Sequence, residues 1–282
     1  MSRHTRGRRS ASRTLRLDLH MHSDRSDGRL PPQQVLERCA LGGLDIIALT
    51  DHDLPPVLTA GTQQVAGRSI RVIHGVELST MHEDTEQHLL VYFRDEIPAE
   101  FAAFCRQLVI ARADRYDAAR EAIGLPGIPP ADEAARRGER SLTRTHIARA
   151  IVEAGHATTM NAAFDRWVGE SAGLVPPVPV SFIGALQRAK EAGGVTSWAH
   201  PSLRRAESWV RDFAEAGLDA LEVFRPSHGR TKREALLKLA WRHGLHMTGG
   251  SDYHGWTPGE LGAFSMSGRA ARPLAHRLGL PR

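Results

Sequence analysis

Six short segments set a histidine or an acid at the border of a strand-like stretch, and this recurrence constrains the fold more than any other feature. Asp18-Leu19-His20-Met21-His22 closes the first, with Asp27 in the turn behind it. The apolar run 45–50 leads directly into Asp51-His52-Asp53, and Gly75-Val76-Glu77 ends the next strand. His88 opens another, Ala199-His200-Pro201 ends a fourth, and Ser251-Asp252-Tyr253-His254 ends the last. Packing or solvation explains any one of them. Six together point to a site, because the carboxyl ends of parallel strands gather on one face of an α/β fold. His20 and His22 stand at i and i+2, so their imidazoles share a face, and paired imidazoles suit a divalent metal.

Between these segments the pattern alternates. Residues 16–20, 45–50, 70–77, 88–93, 194–199, 219–224 and 246–249 read as strands, and 203–216 and 230–243 as helices. A further helix spans 31–43, with Pro31-Pro32 at its start and Gly42-Gly43 at its stop. Such alternation predicts an α/β architecture with a mostly parallel sheet. Residues 98–192 differ. Phe101, Phe104, Leu108, Tyr116, Ala119 and Ile123 recur near helical spacing, as do Leu142, Ile147, Ile151 and Ala154. Loop signals fall at 124–130 and 175–179. This stretch reads as an α-helical insertion between two parts of the α/β body, 15–97 and 193–282.

Composition excludes several classes. With 41% hydrophobic and 24% charged residues, the 282-residue chain has the make-up of a globular protein. No apolar run nears the roughly 18 residues that span a bilayer, so no membrane partner is expected. Cys39 and Cys105, the two cysteines, cannot build a disulfide framework or a cysteine zinc cluster, and point to a reducing, cytoplasmic setting. The net charge of +5 belongs to residues 1–14, which hold five arginines and no acid. Removing them takes Lys+Arg from 37 to 32, equal to the 32 Asp+Glu. The tail reads as disordered, with an accessory role on RNA or another polyanion, and lacks the apolar stretch of a secretory signal.

The segments DLHMHSDRSDG (18–28), TDHD (50–53), GVELS (75–79), His88, AHP (199–201) and GSDYH (250–254) run nearly the length of the chain. On these residues the sequence resembles the polymerase-and-histidinol-phosphatase (PHP) superfamily of metal-dependent phosphoesterases, and they follow the family's order. The resemblance implies a distorted (β/α)7 barrel with metals at the strand carboxyl ends. It sharpens toward the branch that removes phosphate from nucleoside 3′,5′-bisphosphates or trims short RNA from the 5′ end. There the helical insertion carries a stretch like Thr143-Arg144-Thr145-His146-Ile147-Ala148-Arg149 and a later one like 164–177. It also implies two to three divalent ions, Mn²⁺, Fe²⁺ or Zn²⁺. His20, His22, Glu77 and Asp252 would hold the first, and a bridging Glu77 with His88 and His200 the second. Asp27, His52 and His254 would hold the third.

Adjacent divalent ions would neutralise the oxygens of a phosphate ester and hold a bridging water as hydroxide. His228 and His146 are the candidates for donating a proton to the leaving oxygen. Arg144 and His146, in the first turn of a predicted helix capped by Ser141 or Thr143, are candidates for binding substrate phosphate, with Arg204. Where the branch has a lysine and a tyrosine, this chain has Ala172 and Leu174, and its HPGR becomes His200-Pro201-Ser202-Leu203. A lysine–tyrosine pair of the branch appears here as Arg166-Trp167. The expected partner is a small phosphorylated substrate, a nucleotide first and short RNA second, with no obligate protein partner. Histidinol phosphate and an inactive metal-binding module are the remaining readings.

Overall fold

The computed structural model describes residues 14–256 and 260–280. Of the tail expected at 1–14, all but Thr14 lies outside the described residues. The strands are β1 (Arg16–Asp18), β2 (Ile46–Leu49), β3 (Gly61–Val65), β4 (Arg68–His82), β5 (Thr85–Phe93), β6 (Val195–Trp198), β7 (Ala220–Phe224), β8 (His246–Gly249) and β9 (Met266–Ser267). The α-helices are α1 (Pro32–Leu41), α2 (Ala99–Ile123), α3 (Glu133–Arg136), α4 (Arg144–Glu153), α5 (Met160–Ala163), α6 (Phe182–Glu191), α7 (Leu203–Glu215), α8 (Arg230–Arg242) and α9 (Gly268–Arg277).

The strands form one sheet in the order β8-β7-β6-β5-β4-β2-β1-β9, with β3 on β4. Its two ends meet beyond β1 and β8, where the Leu19 N–H donates to the Gly249 carbonyl at 3.2 Å and Met21 bridges Tyr253. The result is a nearly closed α/β barrel. Alternate strand residues face opposite sides. One set, including Leu17, Ile46, Ile73, Tyr92 and Ala220, packs around Leu274 and Leu278 of α9. These lie toward the start of the parallel strands, so α9 closes the end opposite their carboxyl termini. The other set packs under the surrounding helices.

The sheet is less parallel than the alternation suggests. β4 and β5 form an antiparallel hairpin, and β5 pairs antiparallel with β6. Only Glu83 and Asp84 separate His82 from its partner Thr85, too few residues for a crossover. β3, too polar to stand out, forms a second hairpin with β4. Its turn, Ala66-Gly67, takes left-handed φ at both positions, as a two-residue hairpin turn requires. The hairpin also moves two site residues. Glu77 lies within β4 instead of ending it, and His88 lies within β5, opposite Ser79.

The helical middle grows directly out of the barrel. Phe101, Cys105 and Leu108 of α2 join the cluster under the sheet. Ala113, Tyr116, Ala119 and Ile123, further along the same helix, join Ile147 and Ile151 of α4 in a separate cluster. α2 is therefore a rigid arm carrying the second helical layer, and α6 returns the chain to the barrel through Phe182 and Leu186.

Candidate metal centre

All nine residues singled out as ligands meet at one end of the barrel. The segments after β1 and β8 are joined by backbone hydrogen bonds from His22 to Tyr253 (2.9 Å) and from Asp252 to His20 (2.8 Å). This draws His20, His22, Asp252 and His254 together. Gly250 permits the approach, since a Cβ there would lie 2.2 Å from the Cβ of His20. Fully buried Glu77 is the hub. Its Oε1 lies 3.2 Å from His20 Nε2, 3.0 Å from His88 Nδ1 and 2.9 Å from His200 Nε2. Its Oε2 lies 3.2 Å from His22 Nε2 and from His52 Nδ1. Asp252 Oδ1 approaches His20 and His22 at 3.3 and 3.2 Å, and Asp27 Oδ1 approaches His254 Nε2 at 3.2 Å.

Donor atoms within 4.8 Å of one another form four groups. They are His22 with Asp27, His52 and His254; His20 with His22 and Asp252; His20 with Glu77 and His200; and His52 with Glu77 and His88. The donor chemistry fits divalent metal. His20 Nε2, His22 Nε2, Asp27 Oδ1, His52 Nδ1 and Glu77 Oε2 are buried without a hydrogen-bond partner among the described residues. Unmade bonds at five buried polar atoms are costly unless an ion satisfies them. Mixed nitrogen and oxygen donors suit Mn²⁺, Fe²⁺ or Zn²⁺ and do not choose among them.

The groups charge one another strongly. Burial opposes the charged form of His22, yet Asp252 and Glu77 outweigh it and raise its pKa to about 10. Burial likewise opposes charge on His88, and Glu77 carries it up to about 9. Burial works against the Glu77 carboxylate too, but His20, His52 and His88 hold it well below the usual range. Protons and metal ions therefore compete for the same atoms.

Several supporting residues are not legible as site residues in the sequence. Glu222 of β7 is fully buried. Its Oε1 accepts from His20 Nδ1 at 2.9 Å, and its Oε2 accepts from the His200 N–H at 2.7 Å. One carboxylate thus fixes the ring of one candidate ligand and the backbone of another, leaving His20 Nε2 turned to the cluster. The only signal was an acid in an otherwise apolar strand. Asp51 accepts from the Ser23 N–H and both serine hydroxyls of Ser23 and Ser26, shaping the loop that carries Asp27. Asp53, His200 and Asp252 all take left-handed φ, of 55°, 32° and 54°. Such backbone persists where neighbours hold it; Arg112 of α2 bonds the Asp53 carboxylate and the Ser79 hydroxyl.

The expected substrate residues scatter. Thr143 caps α4, and its hydroxyl donates to Asp27 Oδ2 at 3.1 Å, so the helical layer touches the centre directly. His146 is the other half of a capping box, its Nδ1 accepting from the Thr143 N–H at 3.0 Å. Burial depresses its pKa to about 4, against the pull of Asp27, so the ring is neutral at pH 7. Arg144 lies 3.8 Å from half-buried Glu86, which Arg115 also holds at 2.7 Å. With Arg112 and Thr143 these arginines line a shallow, open pocket. His228 is buried with Nδ1 on the Val223 carbonyl at 2.9 Å, and Arg204 is exposed on the first turn of α7. No contact among the described residues joins either to the cluster.

Six imidazoles and three carboxylates gathered at one end of an α/β barrel define a hydrolase scaffold built for divalent ions. Residues 18–121 match the PHP domain. The chain is 32% identical over 247 residues to the 5′-3′ exoribonuclease Rnm of Escherichia coli, covering 84% of each. It is 31% identical over 255 residues to the 3′,5′-nucleoside bisphosphate phosphatase of Chromobacterium violaceum, covering 87% of this chain and 89% of that one. A solved structure from Bifidobacterium adolescentis, classed with metal-dependent phosphoesterases, superposes with a TM-score of 0.72 at 26% identity, over 93% of this chain and 96% of that one. The chain belongs to the PHP family, and it is a hydrolytic phosphoesterase.

Proposed function

We propose that the protein is a phosphomonoesterase acting on a small nucleotide, with a nucleoside 3′,5′-bisphosphate as the leading substrate. The convergence of nine donor side chains at one end of the barrel, five of its histidines on Glu77, carries this reading, and the likeness to a bisphosphate phosphatase supports it. Bound divalent ions would offset the charge of the phosphate, activate water and stabilise the leaving oxygen in an in-line displacement. Glu222 keeps the His20 ring and the His200 backbone in place, and Asp51 keeps the Asp27 loop in place. Thr143 ties the helical layer to Asp27, so substrate held by that layer is registered against the cluster. His146, neutral and engaged as a cap, supports the helix rather than protonating the leaving group.

A phosphate-release screen over nucleoside bisphosphates, mononucleotides, short 5′-phosphorylated RNA and sugar phosphates, with Mn²⁺ supplied, tests the reading. The bisphosphate should give the highest kcat/KM. Preference for RNA would favour the activity named for the Escherichia coli relative, and preference for a non-nucleotide phosphate would overturn the proposal.

A further inference from the structure

Two guanidiniums at the rim of the metal centre share one indole. Arg149 of α4 lies over the Trp256 ring at 3.9 Å, and Arg29, from the loop before α1, lies 5.2 Å from the same ring. The Trp256 Nε1–H donates to the Asp27 carbonyl at 2.6 Å, which fixes the ring against the residue whose carboxylate enters the cluster. Every part of the arrangement is tied to the centre. Arg29 is two residues beyond Asp27, Trp256 two beyond His254, and Arg149 rides on the helix whose cap bonds Asp27.

The charge balance is what asks for a ligand. The cations of the neighbouring open pocket are already answered, Arg112 by Asp53 and Arg115 and Arg144 by Glu86. Among the described residues no ion pair or hydrogen bond is made by the guanidinium of Arg29 or Arg149. Cation–π contact with one ring holds two like charges together. Burial disfavours the charge on Arg149, and although Glu153 and Asp27 offset this, Arg140 and Arg29 add repulsion that leaves its pKa lowered. The Cζ atoms of both residues lie over the ring, and their N–H groups have no hydrogen-bond partner among the described residues. A guanidinium is a planar fork of donors, which matches phosphate oxygens. Trp256 is itself 45% exposed, so the rim is open to a ligand.

We propose that Arg29 and Arg149, braced on Trp256, bind a second phosphate of the substrate, one nucleoside away from the phosphate being hydrolysed. This rests on the nucleotide reading above and deepens it by giving the substrate's other end a place. Arg144, a candidate for binding substrate phosphate, is not needed in this role, since Glu86 already meets its charge. The group bound is either the terminal phosphate of a nucleoside bisphosphate or the next phosphodiester of a short RNA. These share one chemistry and differ in the test.

The test uses the Mn²⁺-loaded full chain as wild type, Arg149→Ala, Arg149→Lys and Arg29→Ala. Each is assayed on adenosine 3′,5′-bisphosphate, adenosine 3′- and 5′-monophosphate, and a 5′-phosphorylated RNA pentamer, at several KCl concentrations. The preference of kcat/KM for a substrate with a second phosphate over the matching monophosphate should fall about tenfold or more in the alanine variants, through KM. Arg149→Lys should recover part of it, because it restores charge without the fork. The steep rise of KM with salt should flatten in the same variants. A fall confined to the bisphosphate assigns a terminal phosphate, and a fall confined to RNA assigns an internal one. Loss of equal size on bisphosphate and monophosphate, or an unaltered preference and salt slope, would overturn the proposal. Failure of the nucleotide reading shows separately, as wild type that hydrolyses none of these substrates.

Discussion

At the residue scale, Glu222 tests how much of the centre depends on side chains that hold ligands in place. Glu222→Ala leaves the His20 Nδ1–H and the His200 N–H without their acceptor in a buried setting. Metal affinity should fall roughly 10- to 100-fold, the usual loss when the partner of a ligating histidine is removed. Glu222→Gln keeps one acceptor and should lose less. Calorimetric titration of the metal-free protein with Mn²⁺ reads both, and affinities equal to wild type would remove Glu222 from the centre's support. This is also the scale at which the sequence is most uneven. The candidate ligands advertise themselves, because histidines beside acids at strand borders are rare by chance. Glu222 and Asp51 do not, because nothing local tells a buried acceptor from a solvated acid.

At the element scale, α4 couples pH to stability through its cap. His146 has a pKa of about 4 in the folded chain against 6.5 unfolded. The unfolded state therefore binds the proton first as pH falls, so stability is full above about pH 7 and is lost between 6.5 and 4. The ceiling of this loss is roughly 3 kcal/mol. His146→Gln keeps a capping-box acceptor and removes the titration. Urea unfolding of both proteins from pH 7.5 to 4.5 should show a steeper decline for wild type, the difference isolating His146 from the titrations of the centre. Parallel declines would mean that the ring is not held neutral. The existence of α4 and its cap was legible, because Thr143 precedes an amphipathic run. The β4–β5 hairpin was not, since the strands' apolar patterns carry no direction, and direction decides which end of β5 faces the site. His88 reaches the cluster from inside an antiparallel strand for that reason.

At the scale of the whole molecule, the barrel separates a functional end from a structural one. α9 packs Leu274 and Leu278 against the strands' starting ends, away from the candidate ligands. Leu274→Ala should lower unfolding stability by about 2–5 kcal/mol while the metal content of the folded protein stays that of wild type, as denaturation and elemental analysis would show. Metal loss at unchanged stability would contradict this division. The α/β architecture was legible from strand-and-helix alternation, and the barrel from the resemblance that the motifs carry. α9 and the short β9 were not read from the sequence, since arginines and Pro273 interrupt the helix's apolar face.

The proposed activity stands on the residues around Glu77 holding divalent ions that make the chain a phosphomonoesterase. Elemental analysis of wild type and Glu77→Gln, reconstituted with Mn²⁺ and desalted, tests it most directly when phosphate release is read on the same samples. Wild type should retain two or three ions per chain, and Glu77→Gln should lose at least one of them together with turnover. Fewer than one ion per wild-type chain, or full turnover by Glu77→Gln at reduced metal content, would rule out a metal-dependent phosphomonoesterase centred on Glu77.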